Sequence, residues 1–131
     1  MDRLEKARSI LEDKDLDFIF LTSDEEYSTN IYYLAGFKGN GRLLLSKDSE
    51  VLIISELEAN KAKRTGLELE IINKDNKHIL KRRIEEKARI GIEKDLMTVS
   101  EFEDLKKTKG EFVDISNDML KLRSIKEKKE V

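Results

Sequence analysis

Short blocks of consecutive apolar residues, set between polar stretches of helical spacing, constrain this chain more than any other feature. Phe18-Ile19-Phe20-Leu21, Leu43-Leu44-Leu45 and Val51-Leu52-Ile53-Ile54 have the length and content of buried strands. Residues 42–46 and 50–54 are joined by Lys47-Asp48-Ser49, a polar connection short enough for a hairpin. Residues 67–72 alternate apolar and polar, as a half-buried strand does. Ile90-Gly91-Ile92 and Phe112-Val113-Asp114-Ile115 bring the strands to about six.

Helical signals fill the intervals. Leu4, Ala7, Ile10 and Leu11 share one stripe, with Asp2 and Glu5 at capping-box spacing. Ser55 and Glu58 repeat that spacing ahead of a short helix that Gly66 closes. Leu80, Ile84 and Ala88, four apart, predict a helix over residues 76–87. Thr98 and Glu101 cap another, whose stripe is Val99, Phe102 and Leu105 and which ends near Gly110. A helical tail follows from Ser116. Strands interleaved with helices make an α/β domain: a mixed, about six-stranded sheet with helices on both faces, mixed because of the hairpin.

At 131 residues the chain has the length of one domain. Its 26 basic and 28 acidic residues nearly cancel, which argues against a polyanion-binding surface and hence against nucleic acid as a partner. The absence of cysteine excludes disulfides, thiolate catalysis and zinc-thiolate sites. No apolar stretch approaches the roughly 20 residues of a membrane span, and the charged start carries no secretory signal, so the expected location is cytoplasmic, without a membrane partner.

Candidate chemistry is sparse. His78 is the lone histidine and reads as a partly exposed helix residue, because no second imidazole or carboxylate stands at ligand spacing. Gly36, Gly39 and Gly41 precede a strand, whereas a phosphate loop follows a strand and opens a helix, so they read as a turn in which glycine supplies positive φ. Lys81-Arg82-Arg83 lies near Glu85 and Glu86 and reads as an ion-paired solvated face. No metal motif and no activated nucleophile can be named, so neither catalytic nor metal-ligating residues are assigned.

Asn30-Ile31-Tyr32-Tyr33-Leu34-Ala35-Gly36-Phe37 resembles a segment of the creatinase/prolidase N-terminal domain, which reads Asn, two variable residues, Tyr, Leu or Phe, a small residue, Gly, then Phe or Tyr. Ile90-Gly91-Ile92-Glu93 looks like the family's strand ending in Gly-x-Glu, and Arg123-Ser124-Ile125-Lys126 with Glu130-Val131 resembles the stretch that leads into the family's catalytic lobe. Asn30, Tyr33, Gly36 and Phe37 are the structural positions of that motif, with Tyr33 and Phe37 expected to pack rather than touch substrate.

The resemblance implies a domain with a ribonuclease H-like motif over residues 1–122, with residues 123–131 starting a linker helix to a catalytic domain outside this chain. It implies the non-catalytic part of an Xaa-Pro dipeptidase or aminopeptidase, whose pita-bread domain hydrolyses the bond before proline with two divalent ions (Mn, Co or Zn). This chain alone is then expected to be inactive and to hold no cofactor. Its implied partners are its own catalytic domain, a second copy in a homodimer, and a dipeptide or peptide substrate whose cleft it shapes. Arg42 is the first candidate to grip a substrate carboxylate across the dimer, because a guanidinium can do so bidentately; Lys38 and Asn40 are weaker candidates on the same loop. Ser55-Glu56-Leu57-Glu58 stands where aminopeptidase relatives carry Asp-x-Arg-Tyr, which leans towards the dipeptidase branch. The alternative is a catalytically dead peptide- or histone-binding module of the same fold.

Overall fold

A computed structural model describes residues 3–23, 28–72 and 79–130, with residues 124–130 by backbone alone. In chain order the elements are α1 (Arg3–Asp13), β1 (Phe18–Thr22), α2 (Thr29–Ala35), β2 (Arg42–Ser46), β3 (Glu50–Ile54), a 3-10 turn (Glu56–Glu58), α3 (Ala59–Lys63), β4 (Glu68–Ile71), α4 (Ile79–Arg83), β5 (Arg89–Ile92), α5 (Val99–Lys106), β6 (Glu111–Asp114) and α6 (Ser116–Glu130). The strands form one sheet in the order β4-β3-β2-β1-β5-β6.

β2 pairs antiparallel with β1 (Phe20 opposite Leu44) and with β3 (Leu44 opposite Val51), whereas β1–β5, β3–β4 and β5–β6 are parallel. Among the described strands β2 alone therefore runs against the rest, and its first residue, Arg42, lies at the rim where the other strands end.

The apolar runs are apolar throughout because both faces of the inner strands are covered. Ile19, Leu21, Leu43, Leu45, Leu52 and Ile54 face a layer built from Ala7, Ile10 and Leu11 of α1, Ile31 and Leu34 of α2, Ala62 of α3 and Met119 of α6. Phe20, Leu44, Val51, Ile53, Ile90 and Ile92 face the opposite layer, with Ile79 of α4 and Leu105 of α5. A mixed six-stranded sheet with helices on both faces is thus the fold that the sequence predicts.

Several local expectations change. Ser55 does cap the turn before α3 but forms no side-chain capping bond, so the predicted box with Glu58 is not made; the Glu58 carboxylate turns to the Gly39–Asn40 loop and Lys61 instead. The box at Thr98 and Glu101 forms in full. Val99, placed on the inward stripe of α5, is 77% exposed, because it occupies the first turn and only Phe102 and Leu105 reach the core. The helix predicted over residues 76–87 stops at Arg83, although Ile84 and Ala88 are buried, and Lys87 takes φ +66°; residues 76–78, His78 among them, lie outside the described residues, as does Asp2 of the first capping pair. Arg83 pairs with Glu68 and Glu70 across on β4, not with its helical neighbours. The α2 helix had no sequence signal in the periodicity; Ser28 caps it, its side chain accepting from Ile31 N, and Gly36 closes it at φ +72°.

Leu52, fully buried, and Leu57, 95% exposed, test this account together. Leu52→Ala should lower unfolding stability by about 2–5 kcal/mol, and Leu57→Ala by less than about 0.5 kcal/mol. Urea titrations of both variants measure the contrast.

Candidate functional site

The rim formed by the strands' carboxyl ends and the start of β2 carries Arg42, Glu93 and Asp114 at or beside strand ends. In open α/β sheets this is the rim at which ligands bind. Two clusters occupy it.

The first is the loop from Gly36 to Arg42. Phe37 is buried at 1% exposure and serves as the seat on which the loop rests. A Cβ at Gly39 would come 2.7 Å from Phe37 Cζ and 2.7 Å from Glu58 Oε2; one at Gly41 would come 2.9 Å from Ile54 Cγ2 and 3.0 Å from Ile53 O. These two glycines thus serve close approach, and of the three glycines on the loop only Gly36 supplies positive φ.

Ser23, just past β1, ties the loop down. Its N–H donates to Gly41 O at 3.0 Å, Gly41 N–H donates to its hydroxyl at 2.6 Å, and that hydroxyl lies 2.9 Å from both Asn40 Oδ1 and Gly41 O. Asn40 N–H also donates to Glu58 Oε1 at 3.4 Å. Lys38 and Asn40 are exposed on this pinned loop.

Arg42 is half-buried on the face that Leu44 shares, at the junction of two grooves. One, of about 450 Å³, runs past Ser23, Asn40, Ile72, Thr98 and Glu101. The other, of about 360 Å³, runs between α4 and α5 past Leu80, Lys81, Asp104 and Lys107. Among the described residues the Arg42 guanidinium makes no hydrogen bond or ion pair, so its five donors remain available to an anionic group. The structure thus sets Arg42, Lys38 and Asn40 on one stretch of rim, with Arg42 lining both grooves and Asn40 one of them.

The second cluster lies where α2 meets the end of β5. Asn30 of α2 and Glu93, immediately after β5, are 2% and 5% exposed, and Asn30 Nδ2 donates to Glu93 Oε2. Burial pushes the Glu93 carboxyl above its ordinary range; the Asn30 hydrogen bond and the Arg123 charge on α6 pull it back, and Asp114 and Asp95 add to the rise. Asp114 closes β6 and accepts from the Ser116 hydroxyl (2.6 Å), Ser116 N (3.0 Å) and Lys94 N (3.3 Å). The Ser116 hydroxyl, above all, holds Asp114 below the usual carboxylate range.

Two segments quoted separately from the sequence, around Asn30 and Glu93, therefore meet in space, and the charge of a third, Arg123, acts on them from α6. Glu93 had not been singled out as a site residue; its signal was a carboxylate directly following the apolar run Ile90-Gly91-Ile92. Tyr33, also on α2, is half-buried beneath Arg3, whose guanidinium lies 4.6 Å from the ring centre. Among the described residues no group of three or more His, Cys, Asp or Glu side chains is placed to hold a metal ion.

Residues 3–125 match the family model described as "Creatinase/Prolidase N-terminal domain". A search of the curated proteins gives no match. Among solved structures, the chain is similar to an X-Pro aminopeptidase from Thermotoga maritima (TM-score 0.79, 22% identity), with 94% of this chain and 36% of that chain covered. It is similar to the N-terminal domain of the cytoplasmic peptidase PepQ from Mycobacterium tuberculosis (TM-score 0.75, 25% identity), with 92% and 97% covered. It is also similar to a proline dipeptidase structure from Streptococcus pneumoniae (TM-score 0.82, 21% identity), with 95% and 99% covered. The chain thus spans about a third of the Thermotoga chain and nearly all of the other two.

The close packing at Gly41 gives a direct test of how firmly the loop is held. Gly41→Ala should destabilise the chain by about 1–3 kcal/mol, because the Ile53 carbonyl that the new methyl meets belongs to the sheet backbone. Urea denaturation midpoints of the two proteins provide the comparison.

Proposed function

Because the chain belongs to the creatinase/prolidase N-terminal domain family, we propose that it is the non-catalytic N-terminal domain of an Xaa-Pro dipeptidase or aminopeptidase, whose C-terminal lobe performs the hydrolysis. The observation that carries this reading is the lopsided match with the Thermotoga X-Pro aminopeptidase, which takes in nearly all of this chain and about a third of that one. In this reading residues 1–122 are the domain, and residues 123–131 begin the helix that leads on.

The resemblance to the family implies two divalent ions. The described residues do not fit such a centre, since no acidic or imidazole group of the required density is present among them. The ions are accordingly assigned to the C-terminal lobe, and no step through them is derived from these residues.

What this chain contributes is shape and charge at the rim. A peptide substrate carries a carboxylate, and Arg42 offers a planar fork of donors on a strand end fixed by two ladders, to β1 and β3. Lys38 and Asn40 extend the polar surface from a loop that Ser23 and Phe37 hold still. In a homodimer this loop reaches the neighbouring subunit's cleft and limits substrate length. The protein works in the cytoplasm, as the Mycobacterium tuberculosis relative does; no helix among the described residues is long and apolar enough to cross a membrane.

Incubated with Xaa-Pro dipeptides and added Mn²⁺ or Co²⁺, the purified chain should release no free proline. Turnover that survives chelator and re-addition controls overturns the assignment of catalysis to another lobe. In a longer protein bearing this domain, Arg42→Ala should lower kcat/KM about tenfold, chiefly through KM, with metal content unchanged. Unaltered kinetics would remove Arg42 from the substrate's reach.

A further inference from the structure

Glu93 is a buried carboxyl that the proposed function leaves unused. It directly follows β5; Asn30 of α2 donates to it, and the Arg123 charge of α6 acts on it although the two make no ion pair in this structure. Asn30 Nδ2 donates to Glu93 Oε2, and the buried polar atoms that stand without a hydrogen-bond partner among the described residues include Asn30 Oδ1, an acceptor, and Arg123 Nε, a donor. Leaving such atoms unmatched is costly, and proteins rarely do so without cause.

The two orphans ask opposite things of the Glu93 carboxyl. As the acid, Glu93 carries an O–H, the donor that Asn30 Oδ1 lacks; as the carboxylate, it is only an acceptor, which Arg123 Nε–H lacks. No single protonation state serves both.

We propose that Glu93 is a buried proton-binding site that exchanges partners between two helices: as the acid it is held twice by the Asn30 amide of α2, and as the carboxylate it is held by Arg123 of α6. The step is an acid–base equilibrium with water, in which one O–H bond forms or breaks and the proton goes to or comes from solvent. Its consequence is mechanical. Release of the proton tightens the hold on α6, and uptake of the proton transfers that hold to α2.

The charged groups facing Glu93 are Arg123 from α6, Asp114 from the end of β6 and Asp95 from the turn after β5. Asp114 is already occupied by Ser116 and Lys94 N–H, which leaves Arg123 as the cation of the set. Burial outweighs the pull of Arg123 and Asn30, so the folded protein binds this proton more tightly than the unfolded chain, whose value is the ordinary 4.5. The sign follows: below about pH 4.5 both states are protonated, between that value and the higher folded value stability falls as pH rises, and above the folded value the loss is complete.

The test uses the chain itself. Carbon-13 NMR of the wild-type side-chain carboxyls should show Glu93 titrating above 4.5; titration at or below that value overturns the proposal, whatever the variants do. Glu93→Gln supplies a donor and an acceptor to Asn30 at every pH. Its thermal midpoint should gain on the wild type as pH rises from about 4.5 and then level off. Arg123→Met should cost at least about twice as much in thermal midpoint at pH ~8 as at pH ~4, and the same at both in the Glu93→Gln background. An equal cost at both pH values in the wild-type background overturns the partner exchange.

Discussion

The fold depends on β1. It is the strand through which the two halves of the sheet meet: β2, β3 and β4 hang from one side by an antiparallel ladder, β5 and β6 from the other by a parallel one. A strand in that position has no solvent face, so every inner residue must be apolar, and Ile19, Phe20 and Leu21 are at most 1% exposed. Once it is committed, each neighbour inherits the demand for cover on both faces, and the helices are distributed accordingly.

This constraint explains what could be read from the sequence. Strands buried on both faces announce themselves as unbroken apolar runs, and β2 and β3 fall on the expected boundaries because Lys47, Asp48 and Ser49 interrupt the run so sharply. The α2 helix was not legible for the complementary reason. Its seven residues, Thr-Asn-Ile-Tyr-Tyr-Leu-Ala, are rich in β-branched and aromatic types, and tertiary packing of Ile31 and Leu34 together with its two caps overrides that weak propensity. At Ser55 the spacing was right but the outcome differed, because the Glu58 carboxylate finds a backbone donor on a loop 18 residues away. Such competition between local and distant partners leaves no mark on local spacing.

The rim residues divide in the same way. Arg42, Lys38 and Asn40 were legible as a group because they are neighbours in sequence. The pairing of Asn30 with Glu93 spans 63 residues and depends on which strand lands beside β1, information that resides in the topology and not in either segment. A lone antiparallel strand also brings a strand's beginning, and hence Arg42, among the strands' ends, an arrangement that no local pattern reveals.

The two outermost strands, β4 and β6, carry a consequence for how copies of this molecule behave in a crowd. Each has four residues, and two of the four are acidic: Glu68 and Glu70 on one, Glu111 and Asp114 on the other. A second molecule adding its own border strand to either would gain few ladder bonds and would set further acidic side chains beside these, so both borders are short, charged strands of the kind that discourages edge-to-edge growth.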